Sequence, residues 1–144
     1  MAGVIGEVTQ NKNGLASQFM AQVLGNVTVQ SRNDYASFSV NLQAGYYTTL
    51  VITIATTNYD TCTLLLTLSK WNKDYVSNAV AIGAKSAINT LHYNIEGNKF
   101  SIFLRPNDNY AQVRVRNLIW WGVGQISSTV VSSLPSTAVV LSAG

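Results

Sequence analysis

Ionisable side chains are scarce in this chain. Only 10% of its 144 residues are Asp, Glu, Lys or Arg, against about 25% in ordinary soluble proteins. His92 is the sole histidine and Cys62 the sole cysteine. One histidine excludes a multi-histidine metal centre and a Ser-His-Asp set with a spare base. One cysteine excludes an intrachain disulfide, and its apolar setting, "TCTLLLTL", suits a buried, inert thiol. The nine Lys and Arg residues are scattered and leave a net charge of only +3. The close pairs, Lys70 with Lys73 and Arg114 with Arg116, fit solvated turns and strand faces, so the basic stripe that nucleic acid demands is missing.

Other absences narrow the field further. No uncharged apolar run is long enough to cross a bilayer. The opening "MAGVIGEVTQNKNG" lacks a basic region followed by an apolar stretch, so synthesis and folding in the cytoplasm are expected. The carboxylates are Glu7, Asp34, Asp60, Asp74, Glu96 and Asp108, mostly in predicted turns. Glycoside hydrolysis needs two carboxylates facing one bond. Asp60 and Asp74 flank a single strand crossing, which puts them at opposite ends. "GVGQ" lacks the lysine and helix of a phosphate loop. We therefore expect no catalytic residues, no metal and no cofactor.

What is present is β-pattern. Hydrophobic residues make up 47% of the chain, and they alternate with Ser, Thr, Asn and Gln. "NVTVQ" places Val27 and Val29 on one face. "YASFSVNL" does the same with Ala36, Phe38, Val40 and Leu42, each strand keeping one wet face. Gly45 then opens a second strand, "YYTTLVITIA", and "TCTLLLTLS" and "VSNAVAIGA" follow. "LHYNI" and "FSIFL" flank "EGN", where Gly97 can supply the positive φ of a hairpin turn. "AQVRVRNLIWW" should send Val113 and Val115 inward and Arg114 and Arg116 outward. Beyond them, strict alternation cannot place both Trp120 and Trp121 in one core. A bulge near Asn117 would exchange their faces.

Only "LASQFMAQVLG" has near-helical spacing. The segment after Arg116 carries no charged side chain and turns at Pro135. Left free it would be an aggregation hazard, so we expect it paired into a sheet or packed on neighbouring chains. Short strands at turn spacings of about 8–12 residues imply an all-β, sandwich- or jelly-roll-like domain over 26–144, after a connecting segment 1–25.

With catalysis poorly provided for, recognition remains. "TTNYDT", "WNKDY" and "PNDNY" each join an aromatic ring to Asn or Asp. Rings stack on the apolar face of a pyranose, and planar polar groups bind its hydroxyls. The candidate ligand-binding residues are therefore Tyr59, Asp60, Trp71, Asp74, Tyr75, Asn107, Asp108, Asn109 and Tyr110. Turn formation alone would also account for each group.

The run "GYYTTLVITIA", "AVAIGA", "LHYNIEGNKFSIFLRPNDNYAQVRVRNLIWWG", with "NKNGLAS" before it and "SSLPSTAVV" after it, resembles C-terminal receptor-binding domains of phage tail fibres and tailspikes. The likeness covers roughly residues 11–140 as a pattern of strands and turns, and it carries no catalytic or ligand residue with it. It implies a homotrimer that adsorbs a virion to a bacterial surface glycan or protein, in company with other tail proteins. The protein would be made in the bacterial cytoplasm and work in the virion tail, without inserting into a membrane. In such a trimer Trp120 and Trp121 become candidates for the subunit interface. Other readings are a structural capsid-decoration or baseplate protein, a carbohydrate-binding module of a secreted bacterial enzyme, and a polysaccharide depolymerase.

Overall fold

The computed structural model describes residues 24–123 and 126–144, excepting the side chains of Leu24 and of 119–123. The described chain is almost wholly β. Its strands are β1 (Leu24–Val29), β2 (Tyr35–Ala55), β3 (Thr61–Ser69), β4 (Tyr75–Val76), β5 (Val80–Gly83), β6 (Ile88–Glu96), β7 (Lys99–Pro106), β8 (Ala111–Val123), β9 (Ser127–Val131) and β10 (Val139–Val140). One 3-10 turn, Lys85–Ala87, lies between β5 and β6. All ladders are antiparallel. An isolated bridge from Ala79 to Ala143 is parallel.

Strand β2 organises everything else. The expected pair of strands either side of Gly45 is one strand of 21 residues. Its first half, Tyr35 to Asn41, pairs with β9 on one side and β7 on the other. Its second half, Tyr47 to Ala55, pairs with β3 and β8. Between the halves the register against β8 jumps from Leu42–Val123 to Tyr47–Trp121. Gly45 has φ 89° there, a region open to glycine and costly for other residues. Backbone bonds hold the irregular stretch: Leu42 N–H donates to Asn98, Gly45 N–H to Lys70, and Lys70 N–H to Tyr46. The strand therefore continues through the glycine instead of stopping at it.

Two wings result, both carried by β2. One wing is β1-β8-β2-β3, with β4 and β5 on the far edge of β3. The other is β9-β2-β7-β6-β10. Leu50, Ile52, Ile54, Leu64, Leu68, Val113 and Val115 from the first wing share one core cluster with Ala36, Phe38, Val40, Phe100, Ile102 and Leu104 from the second. Each fully buried Leu, Ile or Phe contributes roughly 1.5–3 kcal/mol. The alternation of Val113 and Val115 inward against exposed Arg114 and Arg116 is as expected.

The hairpin of β6 and β7 also forms, closing at Glu96–Lys99. Gly97, with φ 60°, occupies the first central position, as a type II′ turn requires. The bulge in β8 falls at Leu118: Leu50 faces Asn117 and Thr49 faces Ile119, with Leu118 left over and exposed. The register then sets Trp120 opposite buried Thr48 and Trp121 opposite exposed Tyr47. The side chains of both tryptophans, and so their proposed interface role, lie outside the described residues. The expected helix and connecting segment also lie outside them, except that Leu24 and Gly25 open β1.

The charge-free C-terminal segment pairs within its own chain. Strand β9 joins β2 at one edge of the second wing, and β10 joins β6 at the opposite edge. Residues 132–138 must therefore cross β2, β7 and β6, about 19 Å at the usual strand spacing. Thr137 Oγ1 donates to Asn94 Oδ1 at 2.8 Å under this strap. The strap corrects one expectation: the first half of β2 does not keep one wet face, and β7 beside it is covered too. Ser37, Ser101 and Phe103 point away from the core yet are only 6–7% exposed.

Candidate functional site

Four connections meet at one end of the molecule, because β8 lies between β1 and β2 and pairs Ala111 with Val29 and Gln112 with Ala55. They are the turns at 30–34, 56–60, 84–87 and 107–110. Hydrogen bonds lash them together. Thr57 Oγ1 donates to Asp108 Oδ2 at 2.8 Å, while Asp108 Oδ1 accepts from the Asn109 N–H at 2.8 Å. The Arg32 N–H donates to Asn109 Oδ1 at 2.9 Å. Asn107 Nδ2 donates to the Ser86 carbonyl at 3.2 Å. Ser86 Oγ in turn donates to Asp60 Oδ2 at 3.4 Å.

"TTNYDT" and "PNDNY" thus converge, and the side chains of Asp60, Asn107, Asp108 and Asn109 are occupied in holding the loops. Asp108 uses both carboxylate oxygens on its neighbours. These polar groups position the site, while the rings remain free to make contacts. Tyr59 is 95% exposed and Tyr110 is 63% exposed. Among the described non-glycine residues, only these two have positive φ, at 66° and 59°. A bulky residue in that region carries roughly 1–2 kcal/mol of strain. Such strain, unrelieved by packing, concentrates at functional sites.

A mutation separates strain from packing. Replacing Tyr59 or Tyr110 by glycine is expected to raise stability by about 0.5 kcal/mol each, the relieved strain slightly exceeding glycine's entropy cost. Urea titration checks this. A loss of stability would mean that the rings are structural props.

"WNKDY" lies at the other end, beyond the full length of β3. Trp71 is 65% and Tyr75 49% exposed. Asp74 is paired with Lys70 at 3.4 Å, and Lys70 Nζ also donates to the Gly97 carbonyl at 2.7 Å. The register brings a further ring here: Ser69 faces Tyr47 on one side and Tyr75 on the other. Tyr47, 40% exposed, was invisible as a site residue in sequence because its role depends on the pairing of β2 with β3. Asp60 and Asp74 stand at opposite ends, as the single strand crossing implies.

His92 is half-buried on β6, and its Nδ1 is sealed from solvent without a partner among the described residues. Cys62 is 1% exposed. Burial pushes its thiol up from the ordinary value, opposed by the Lys85 ammonium and a backbone hydrogen bond at Ile82. A raised thiol is a poor nucleophile at neutral pH. Among the described residues no three His, Cys, Asp or Glu side chains gather as metal ligands would. Comparison with protein-family models, characterised proteins and solved structures finds no significant match.

Proposed function

We propose that the chain is a non-enzymatic receptor-binding domain of a phage tail or a phage-derived particle. In this reading the two wings are the layers of a sandwich-like domain that assembles as a homotrimer, and the domain adsorbs the virion to a bacterial surface glycan or protein. The observation that carries the reading is the pair of exposed, strained tyrosines, Tyr59 and Tyr110, on loops bonded to each other. Aromatic rings held at fixed positions by second-rank polar groups suit recognition of a surface ligand. The separation of Asp60 from Asp74 weighs against a depolymerase built on that pair.

The test is adsorption to bacterial cells together with glycan-array binding, for the parent chain and a Tyr59→Ala/Tyr110→Ala variant. Loss of both signals in the variant, with an unchanged thermal midpoint, is the expected result. Undiminished adsorption by the variant would remove the loop end from the reading. Light scattering behind a sizing column tests the trimer, and a monomer would refute it.

A structural virion protein is the second reading. Exposed Val80, Ile82, Val139 and Val140, on β5 and β10, favour it as assembly contacts. It expects binding to other virion proteins and none to host material.

A further inference from the structure

We propose that the outer face of the second wing holds a binding groove for one neutral hexopyranose unit, separate from the loop end. This inference rests on the recognition reading and names the chemistry of one ligand.

The register builds the groove row by row. Thr129, Ser37 and Phe103 lie side by side across β9, β2 and β7, and Ser127, Ser39 and Ser101 form the next row, which Asn94 of β6 extends. Small side chains here leave a trough, and the strap at Pro135 closes its border, enclosing about 260 Å³. That is below the roughly 300–1,000 Å³ of drug-sized sites, and it suits one sugar ring better than a peptide.

The lining chemistry is specific. Ser37, Ser39, Ser101, Ser127 and Thr129 bring hydroxyls that both donate and accept, and Ser39 and Ser101 already bond each other at 2.8 Å. Asn94, 6% exposed, is oriented by Thr137 at 2.8 Å and by Glu96 at 3.2 Å. Ser37, 6% exposed, lines the groove beside Ser39 and Ser101. Phe103 adds an apolar element to the floor. At the rim, Glu96 and Lys99 contribute one charge of each sign, so the groove has no net preference for phosphate or carboxylate. Alternating donors and acceptors over an apolar patch match a neutral sugar.

The experiment is amide and side-chain NMR of the whole chain titrated with methyl galactoside and methyl glucoside. We expect saturable shifts confined to Ser37, Asn94, Ser101 and Thr129, with a dissociation constant on the order of 1 mM for a ligand this small. Ser37→Leu fills the trough and should weaken binding at least tenfold. Thr129→Trp, at an exposed position of the edge strand, should do the same and guards against a folding failure of the first variant. Arg114→Gln, on the exposed face of the first wing, should leave the titration unchanged. No saturable shift with either sugar, or shifts that survive both filling variants, would overturn the groove. If the groove fails while the tyrosine variant still abolishes cell adsorption, the loop-end reading stands without it.

Discussion

Phe38→Ala is expected to destabilise the protein by about 3–5 kcal/mol, the usual cost of deleting a buried phenyl ring. Phe38 is 1% exposed and stands between Ile102 of β7 and Ser128 of β9 in the ladder. Its ring lies where β2 carries the second wing onto the core, so few neighbours can collapse into the space without moving a strand. A small domain has only about 5–15 kcal/mol in total, so this one change removes a large fraction. Urea denaturation should show a much lower midpoint with the slope preserved. A cost below about 1 kcal/mol would contradict the sealed core described for this region.

Gly83→Val should cost about 2–4 kcal/mol, for two separable reasons. Gly83 has φ 103°, where side-chain-bearing residues are strained. A Cβ there would also meet the Thr61 carbonyl oxygen at 2.5 Å, which is backbone of the paired strand and cannot rotate away. That same oxygen accepts the Ala84 N–H at 2.8 Å, so retreat would break a hydrogen bond. Gly97→Ala supplies the contrast. Its φ is also positive, at 60°, but nothing lies within 4 Å of the added carbon, so about 1 kcal/mol is expected. Thermal or urea unfolding of the two variants should rank them clearly. Equal costs would show that conformational strain alone acts at Gly83.

The parts of this fold legible in sequence are those set by neighbours one or two residues apart. Alternation placed Val113 and Val115 inward, and Gly97 marked the hairpin turn, because both depend on local backbone geometry. The continuity of β2 through Gly45 was hidden, since it depends on Lys70 and Asn98 arriving from the connections after β3 and β6 to bond the irregular stretch. The site divides the same way. Residue types marked Tyr59 and Tyr110 as candidate contact rings, and their exposure agrees with that without testing it. That the two loops join, while Trp71 and Tyr75 stand apart from them with Tyr47, follows from the pairing of β2 with β3 and β8. The polar groove was illegible for a further reason. Serines alternating with apolar residues signify a wet strand face, and only the strap turns that face into an enclosure.

The strap also sets a timetable. Strands β9 and β10 come from the last part of the sequence, yet they flank both edges of a wing whose middle strands are made much earlier. While residues 127–141 are still inside the ribosome, β2 and β6 emerge with bare edges, and Leu141 has not yet reached its buried place. Exposed strand edges of this kind invite pairing with other chains. A nascent chain must therefore wait, with these edges bare, for residues 127–141, and crowded polysomes are where its misassembly would begin.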